Sequence, residues 1–181
     1  TTDTFQKFMM SASSHEFYTP NASTGTGATR KVAITGDGIL FNGDNAAANA
    51  LDDYEEGTWT PDVLGGGVTW LYQSGVYTKV GRLVTVTFWL QAGSTDSTTG
   101  TVSIVGLPFT TNSVGRNTVA IRAYNLANFS GNDGIVGWTS GTSTSVSINA
   151  TQGGLTSGTQ IDRNIWQSGA EIHFSLTYMT A

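Results

Sequence analysis

The chain of 181 residues has no cysteine, three prolines and only 12% charged residues. Without thiols there is no disulfide framework, no thiolate metal site and no cysteine nucleophile. Ordinary soluble domains carry about twice that share of charged side chains; here Ser, Thr, Asn and Gly take their place. Eight Lys and Arg stand against thirteen Asp and Glu, a net charge of −5. No basic run exists to release counterions from a phosphate backbone, which argues against a nucleic-acid partner. Apolar stretches such as Val86–Leu90 fall far short of the roughly 20 residues of a membrane-spanning helix, so no membrane insertion is expected. The opening Thr1-Thr2-Asp3-Thr4 has neither an initiator Met nor a charged-then-apolar leader, and the expectation is a piece of a longer chain.

Helical periodicity is almost absent as well. Phe5, Phe8 and Met9 fall at i, i+3, i+4, which predicts a short helix over 5–10, too short to stand alone in water. The polar stretch 11–29 reads as extended and linker-like. Lys31–Thr35 and Ile39–Phe41 flank a Gly36-Asp37-Gly38 turn, a hairpin that cannot bury a core by itself. Residues Ala46–Leu51 suit one helical turn.

From Gly57 onward nearly every signal is strand. Expected strands are Thr58–Leu64, Val68–Tyr72, Val76–Val80, Leu83–Ala92, Thr101–Leu107, Thr118–Leu126, Ile135–Thr139, Thr144–Ala150 and Ala170–Thr180, spaced as in a sandwich or barrel. In two of them the alternation is clean. Val84, Val86, Phe88 and Leu90 oppose Thr85, Thr87, Trp89 and Gln91, while Ile172, Phe174, Leu176 and Tyr178 oppose Glu171, His173, Ser175, Thr177 and Met179. One dry face and one wet face suit an antiparallel sheet. The expected fold is all-β: an antiparallel, jelly-roll-like β-sandwich over 57–181, preceded by an extended, stalk-like oligomerisation segment over 1–56.

Three pieces of sequence carry a family resemblance. Gly36-Asp37-Gly38-Ile39-Leu40-Phe41-Asn42-Gly43-Asp44, continued by Ala50-Leu51-Asp52-Asp53-Tyr54-Glu55-Glu56-Gly57-Thr58-Trp59-Thr60-Pro61, resembles a junction in bacteriophage tail-fibre and other virion appendage proteins. There it precedes a C-terminal β-domain with Gly-x-Tyr-Thr-Lys-x-Gly-x-x-Val, matched here by Gly75–Val84. The third piece is Ile104-Val105-Gly106-Leu107-Pro108-Phe109-Thr110. The resemblance implies a homotrimer at the end of a virion appendage that binds a bacterial surface glycan or protein, with other virion proteins met through a preceding part. It also implies that the junction residues Asp52, Asp53, Tyr54, Glu55, Glu56 and Trp59 are structural.

Residue chemistry offers little else. The acidic cluster 52–56 is the one dense group of charges. A glycosidase needs two carboxyls facing each other across a bond, whereas strand neighbours point apart; an acidic cap or interchain ion pairs with Arg82, Lys79 or Arg30 is the simpler reading. His15 and His173 are the only histidines and lack thiols or spaced carboxylates, so no metal site is expected. No Gly-x-Ser-x-Gly elbow accompanies them, and neither an enzyme nor a cofactor is expected. Trp138 and Trp166 lie in loop-rich regions beside Asn132 and Asp133 and beside Asp162, Arg163 and Asn164. Rings for stacking next to polar groups suit a glycan site; rings that plug the sandwich ends are the alternative. Trp89 stands on a wet face, which predicts a partner surface, either a neighbouring subunit or a ligand. The reading adopted is a subunit interface, with Phe5, Phe8, Met9, Ile39 and Phe41.

Overall fold

A computed structural model describes residues 8–10, 13–19, 27–96, 99–129, 134–151 and 159–181. Phe5, Asn132 and Asp133 lie outside the described residues. The chain divides into two compact units, Thr1–Tyr54 and Glu55–Ala181.

Strands β1 (Phe8–Met10), β2 (Ser14–Thr19), β3 (Thr29–Thr35) and β4 (Gly38–Phe41) of the first unit form an antiparallel meander in that order. The expected hairpin is its β3–β4 half, with Ile34 opposite Ile39 and Val32 opposite Phe41. Two expectations are corrected. Phe8–Met10 is a strand paired with residues 15–17, not part of a helix, and Ser14–Thr19 is a strand rather than linker. Pairing decided both: the segment His15-Glu16-Phe17-Tyr18 meets the free edge of β3 and satisfies its backbone groups there. Ala47–Asn49 makes the single helical turn, of the 3-10 kind.

In the second unit the strands are β5 (Tyr54–Trp59), β6 (Asp62–Val63), β7 (Trp70–Val80), β8 (Leu83–Ala92), β9 (Ser103–Val105), β10 (Thr118–Tyr124), β11 (Gly134–Trp138), β12 (Ser145–Thr151), β13 (Thr159–Gln160) and β14 (Glu171–Met179). They join in the order β5-β7-β8-β14-β10-β11-β12-β9-β6, with β13 on β12. One strand holds the two halves together. Residues Ile121–Tyr124 of β10 pair with β14, while Thr118–Ala120 pair with β11. The sheet therefore curls over on itself as an antiparallel sandwich, the architecture expected from the alternation.

Its core is that alternation made physical. Val84, Val86, Phe88 and Leu90 of β8 and Ile172, Phe174, Leu176 and Tyr178 of β14 are buried from one half; Val146, Ile148, Ala150, Val102 and Ile104 meet them from the other. Phe88 and Phe174, directly paired, touch edge to face at 4.1 Å. Each such side chain contributes about 1.5–3 kcal/mol on burial. Residues 70–80 form one strand, not the two expected, and Gln73-Ser74-Gly75 runs straight through it. Gly75 is there for the space it leaves: a Cβ would lie 2.4 Å from Nε1 of Trp59.

Candidate functional site

Within the second unit, residues 55–59 of the first sequence piece meet the other two pieces in one packing unit. The Trp59 ring lies against Gly75 and donates through Nε1 to the Thr87 carbonyl at 3.3 Å. Tyr77 covers Gly57, where a Cβ would sit 2.7 Å from its ring, and touches Phe109 edge-on at 5.3 Å. Lys79 places its amine 5.3 Å from the centre of the same Phe109 ring. The Tyr77 hydroxyl donates to Glu55 at 3.3 Å; burial and that carboxylate push its pKa up. Arg30 pairs with Glu16 at 3.1 Å, and Arg82 donates to the Thr180 carbonyl. Among the described residues no three His, Asp or Glu side chains converge as a metal site would require.

The outer face of β7, β8, β14 and β10 is a different surface. Period two sends Phe88 and Leu90 inward and leaves Thr87, Trp89 and Gln91 outward. Registration then places Ser74, Trp89, His173 and Arg122 in one row across four strands, and Tyr72, Gln91, Glu171 and Tyr124 in the next. Trp89 stacks on His173 at 5.2 Å with 17° between the planes, and Tyr72 leans on it at 4.0 Å. His173 is oriented in turn by Glu171, whose Oε2 lies 3.1 Å from Nε2; Gln91 donates to Oε1 of the same carboxylate at 2.8 Å. Beside Trp89 a hollow of about 250 Å³ opens, lined by Tyr72, Ser74, Gly75, Val76, Thr87, Phe88 and Trp89. Nε1 of Trp89 is closed off and has no acceptor.

The structure separates the sequence-predicted loop residues. Trp166 is 0% exposed and meets Trp70 edge-on at 5.2 Å; it is core. Arg163 is buried too, its guanidinium 2.7 Å from Asp96, with side chains 7% and 0% exposed. Neither is available to a surface glycan, which corrects that expectation for both. For Arg163 the reason lies far off in sequence. Gly65-Gly66-Gly67, all at positive φ, folds tightly past the guanidinium, and a Cβ at Gly65 would stand 2.5 Å from it. Asp162 and Asn164 remain exposed, Asp162 accepting from the Asn164 N–H at 3.0 Å to start a helical turn. Trp138 lies on β11, half-buried, with the Arg116 guanidinium 5.7 Å from its ring centre. So Trp138 and Trp166 do not share an environment. Tyr72 and Ser74 were not singled out by sequence; the signal that could have found them is their place opposite Trp89 once β7 is taken as one strand.

No protein-family model matches the chain, and none of the curated proteins matches it in sequence. Among solved structures, the Dettilon tailspike protein (gp208) shares its fold over 71% of this chain, at a TM-score of 0.54 and 14% identity. The matched part is 24% of that chain, so the likeness concerns about a quarter of the tailspike. Among the described residues no helix is long and apolar enough to cross a membrane.

Proposed function

We propose that this chain is a non-catalytic domain of a phage tail appendage, assembled as a homotrimer and serving attachment to a bacterial surface glycan. The observation that carries the assembly is the face of the N-terminal sheet formed by Phe17, Val32 and Phe41 in one row and His15, Ile34 and Ile39 in the next. Phe17, Ile34 and Phe41 are 43%, 42% and 51% exposed. A folded sheet that shows water such a patch calls for a partner surface, and a four-stranded unit gains independent stability by covering it. Copies of the same chain around an appendage axis would supply that cover. In this proposal Ile39 and Phe41 belong to the interface; the side chains of Phe8 and Met9 lie outside the described residues. The fold shared with part of a tailspike supports the appendage context.

The test is the mass in solution. Light scattering on a size-exclusion column is expected to give three times the 19.0 kDa of the chain, and Phe41→Asp with Ile34→Asp is expected to give monomer. A monomeric parent protein would overturn the assembly. Adsorption of the protein to bacterial cells, competed by their isolated surface polysaccharide, tests attachment. Unchanged polysaccharide length after incubation is the expected result for a non-catalytic domain, and shortening would replace this reading by a depolymerase.

A further inference from the structure

The geometry points to the hollow beside Trp89 as the binding site for a single ring of an uncharged sugar, an inference that rests on the attachment reading above. Size sets the first limit. Its volume of about 250 Å³ leaves room for one pyranose ring. Composition sets the second. None of Tyr72, Ser74, Gly75, Val76, Thr87, Phe88 and Trp89 is charged, so an acidic sugar would lose hydration without gaining a counter-charge. A neutral ring loses nothing of the kind: its C–H face suits the exposed Tyr72 and Val76 side chains at the edge of the Trp89 ring, and its hydroxyls suit those of Ser74 and Thr87.

Registration explains why the hollow exists. Ser74 lies directly opposite Trp89, and Val76 opposite Thr87, so small side chains neighbour the largest one on the face. Trp89 is held from its other side by His173, itself fixed by Glu171 and Gln91. Beneath, Trp59 braces the strand at Gly75. The wall is thus set before a ligand arrives, which lowers the ordering cost of binding.

The experiment uses the full chain and the indole N–H signals of its five tryptophans in a ¹H–¹⁵N spectrum, with the Trp89 signal assigned by its loss in Trp89→Phe. The probes are methyl glycosides of glucose, galactose, mannose and N-acetylglucosamine, and methyl glucuronide as the charged control. At least one neutral glycoside is expected to move the Trp89 signal saturably. Ser74→Leu, which fills the hollow, is expected to weaken that binding at least about tenfold while leaving the Trp59 and Trp166 signals in place as evidence of folding. Thr87→Val supplies a second variant of nearly unchanged shape. Equal binding of the glucuronide overturns the assignment to uncharged sugars. Protein that adsorbs to bacterial cells yet shows no Trp89 shift with any glycoside refutes the site and leaves attachment standing. A Trp89 shift in protein that adsorbs to no cells refutes attachment and leaves a sugar site.

Discussion

Replacing Asp96 by Ala is expected to be among the most damaging single changes in the sandwich. The carboxylate lies 2.7 Å from the Arg163 guanidinium, and the two side chains are 0% and 7% exposed. The guanidinium then lacks its counter-charge and cannot reach water easily, since Gly65 and Gly67 close over it. Removing one partner of a buried pair costs about 3–5 kcal/mol, because the other charge is left uncompensated. For a chain of this size that corresponds to a fall in Tm of roughly 6–20 °C, at 2–4 °C per kcal/mol. The double variant Asp96→Leu with Arg163→Met removes both charges and is expected to recover most of the loss, since a buried pair adds little over well-packed apolar groups. Equilibrium denaturation at one fixed protein concentration measures all three proteins, the concentration being held because assembly shifts apparent stability. A loss below about 1 kcal/mol for Asp96→Ala, within the range of exposed pairs, would refute the reasoning and return Arg163 to the surface. So would a double variant no more stable than Asp96→Ala.

Gly75→Ala should loosen the junction: its Cβ would lie 2.4 Å from Trp59 Nε1, and overpacking of this kind costs about 1–3 kcal/mol, read by denaturation together with a shift of the Trp59 indole signal. Tyr178 has its pKa pushed up to about 12 from 10.0 by burial, only partly opposed by its hydrogen bond with Phe109. A raised pKa means that the folded form keeps the proton, so stability is full below about pH 10 and falls by about 2–3 kcal/mol as pH rises to 12; Tyr178→Phe should flatten that decline in an alkaline denaturation series. In the N-terminal sheet, Glu16 is held below its ordinary 4.5 by hydrogen bonds from Tyr18 and Arg30, and Asp44 below 3.8 by those from Ala46 and Asn49. Depressed carboxylates stabilise above their unfolded pKa and lose that contribution as pH falls through the folded one, so amide protection relative to intrinsic exchange rates in residues 13–19 and 27–51 should fall below about pH 4 before it does in the sandwich.

Much of the sandwich was legible because period two leaves few alternatives: a slip by one residue in Leu83–Ala92 or in 171–179 would exchange Phe88 for Trp89, or Phe174 for His173. The junction was legible through motif, and its physical content is the contact set of Trp59 on Gly75 and Tyr77 on Gly57. What sequence hid was set by distant partners. Asp162-Arg163-Asn164 looked like a polar loop, yet its middle residue is neutralised by Asp96, 67 positions away. Gly65-Gly66-Gly67 has no side chains to signal a role and forms the cover on that pair. Gln73-Ser74-Gly75 looked like a turn because nothing nearby in sequence announces that a tryptophan fills the space beside Gly75. Residues 14–19 have the composition of a linker and became a strand because β3 offered them an edge.

The two proposed surfaces depend on each other in a way that one variant can expose. A ring-sized ligand of about a dozen heavy atoms, at an efficiency near 0.3 kcal/mol per atom, gains roughly 4 kcal/mol, which is a dissociation constant near 1 mM. One such hollow would not hold a particle on a cell. Three on one assembly can, because tethered sites gain about 10²–10⁴ in avidity when the geometry lets them engage together. The variant Phe41→Asp with Ile34→Asp changes the N-terminal sheet, and neither residue lines the hollow. It should therefore abolish adsorption to cells by making the protein monomeric, while the Trp89 signal still responds to the glycoside with unchanged affinity. Monomeric protein that adsorbs as tightly as the parent would show that single sites suffice, and the apolar face of the first unit would then need another explanation than assembly for attachment.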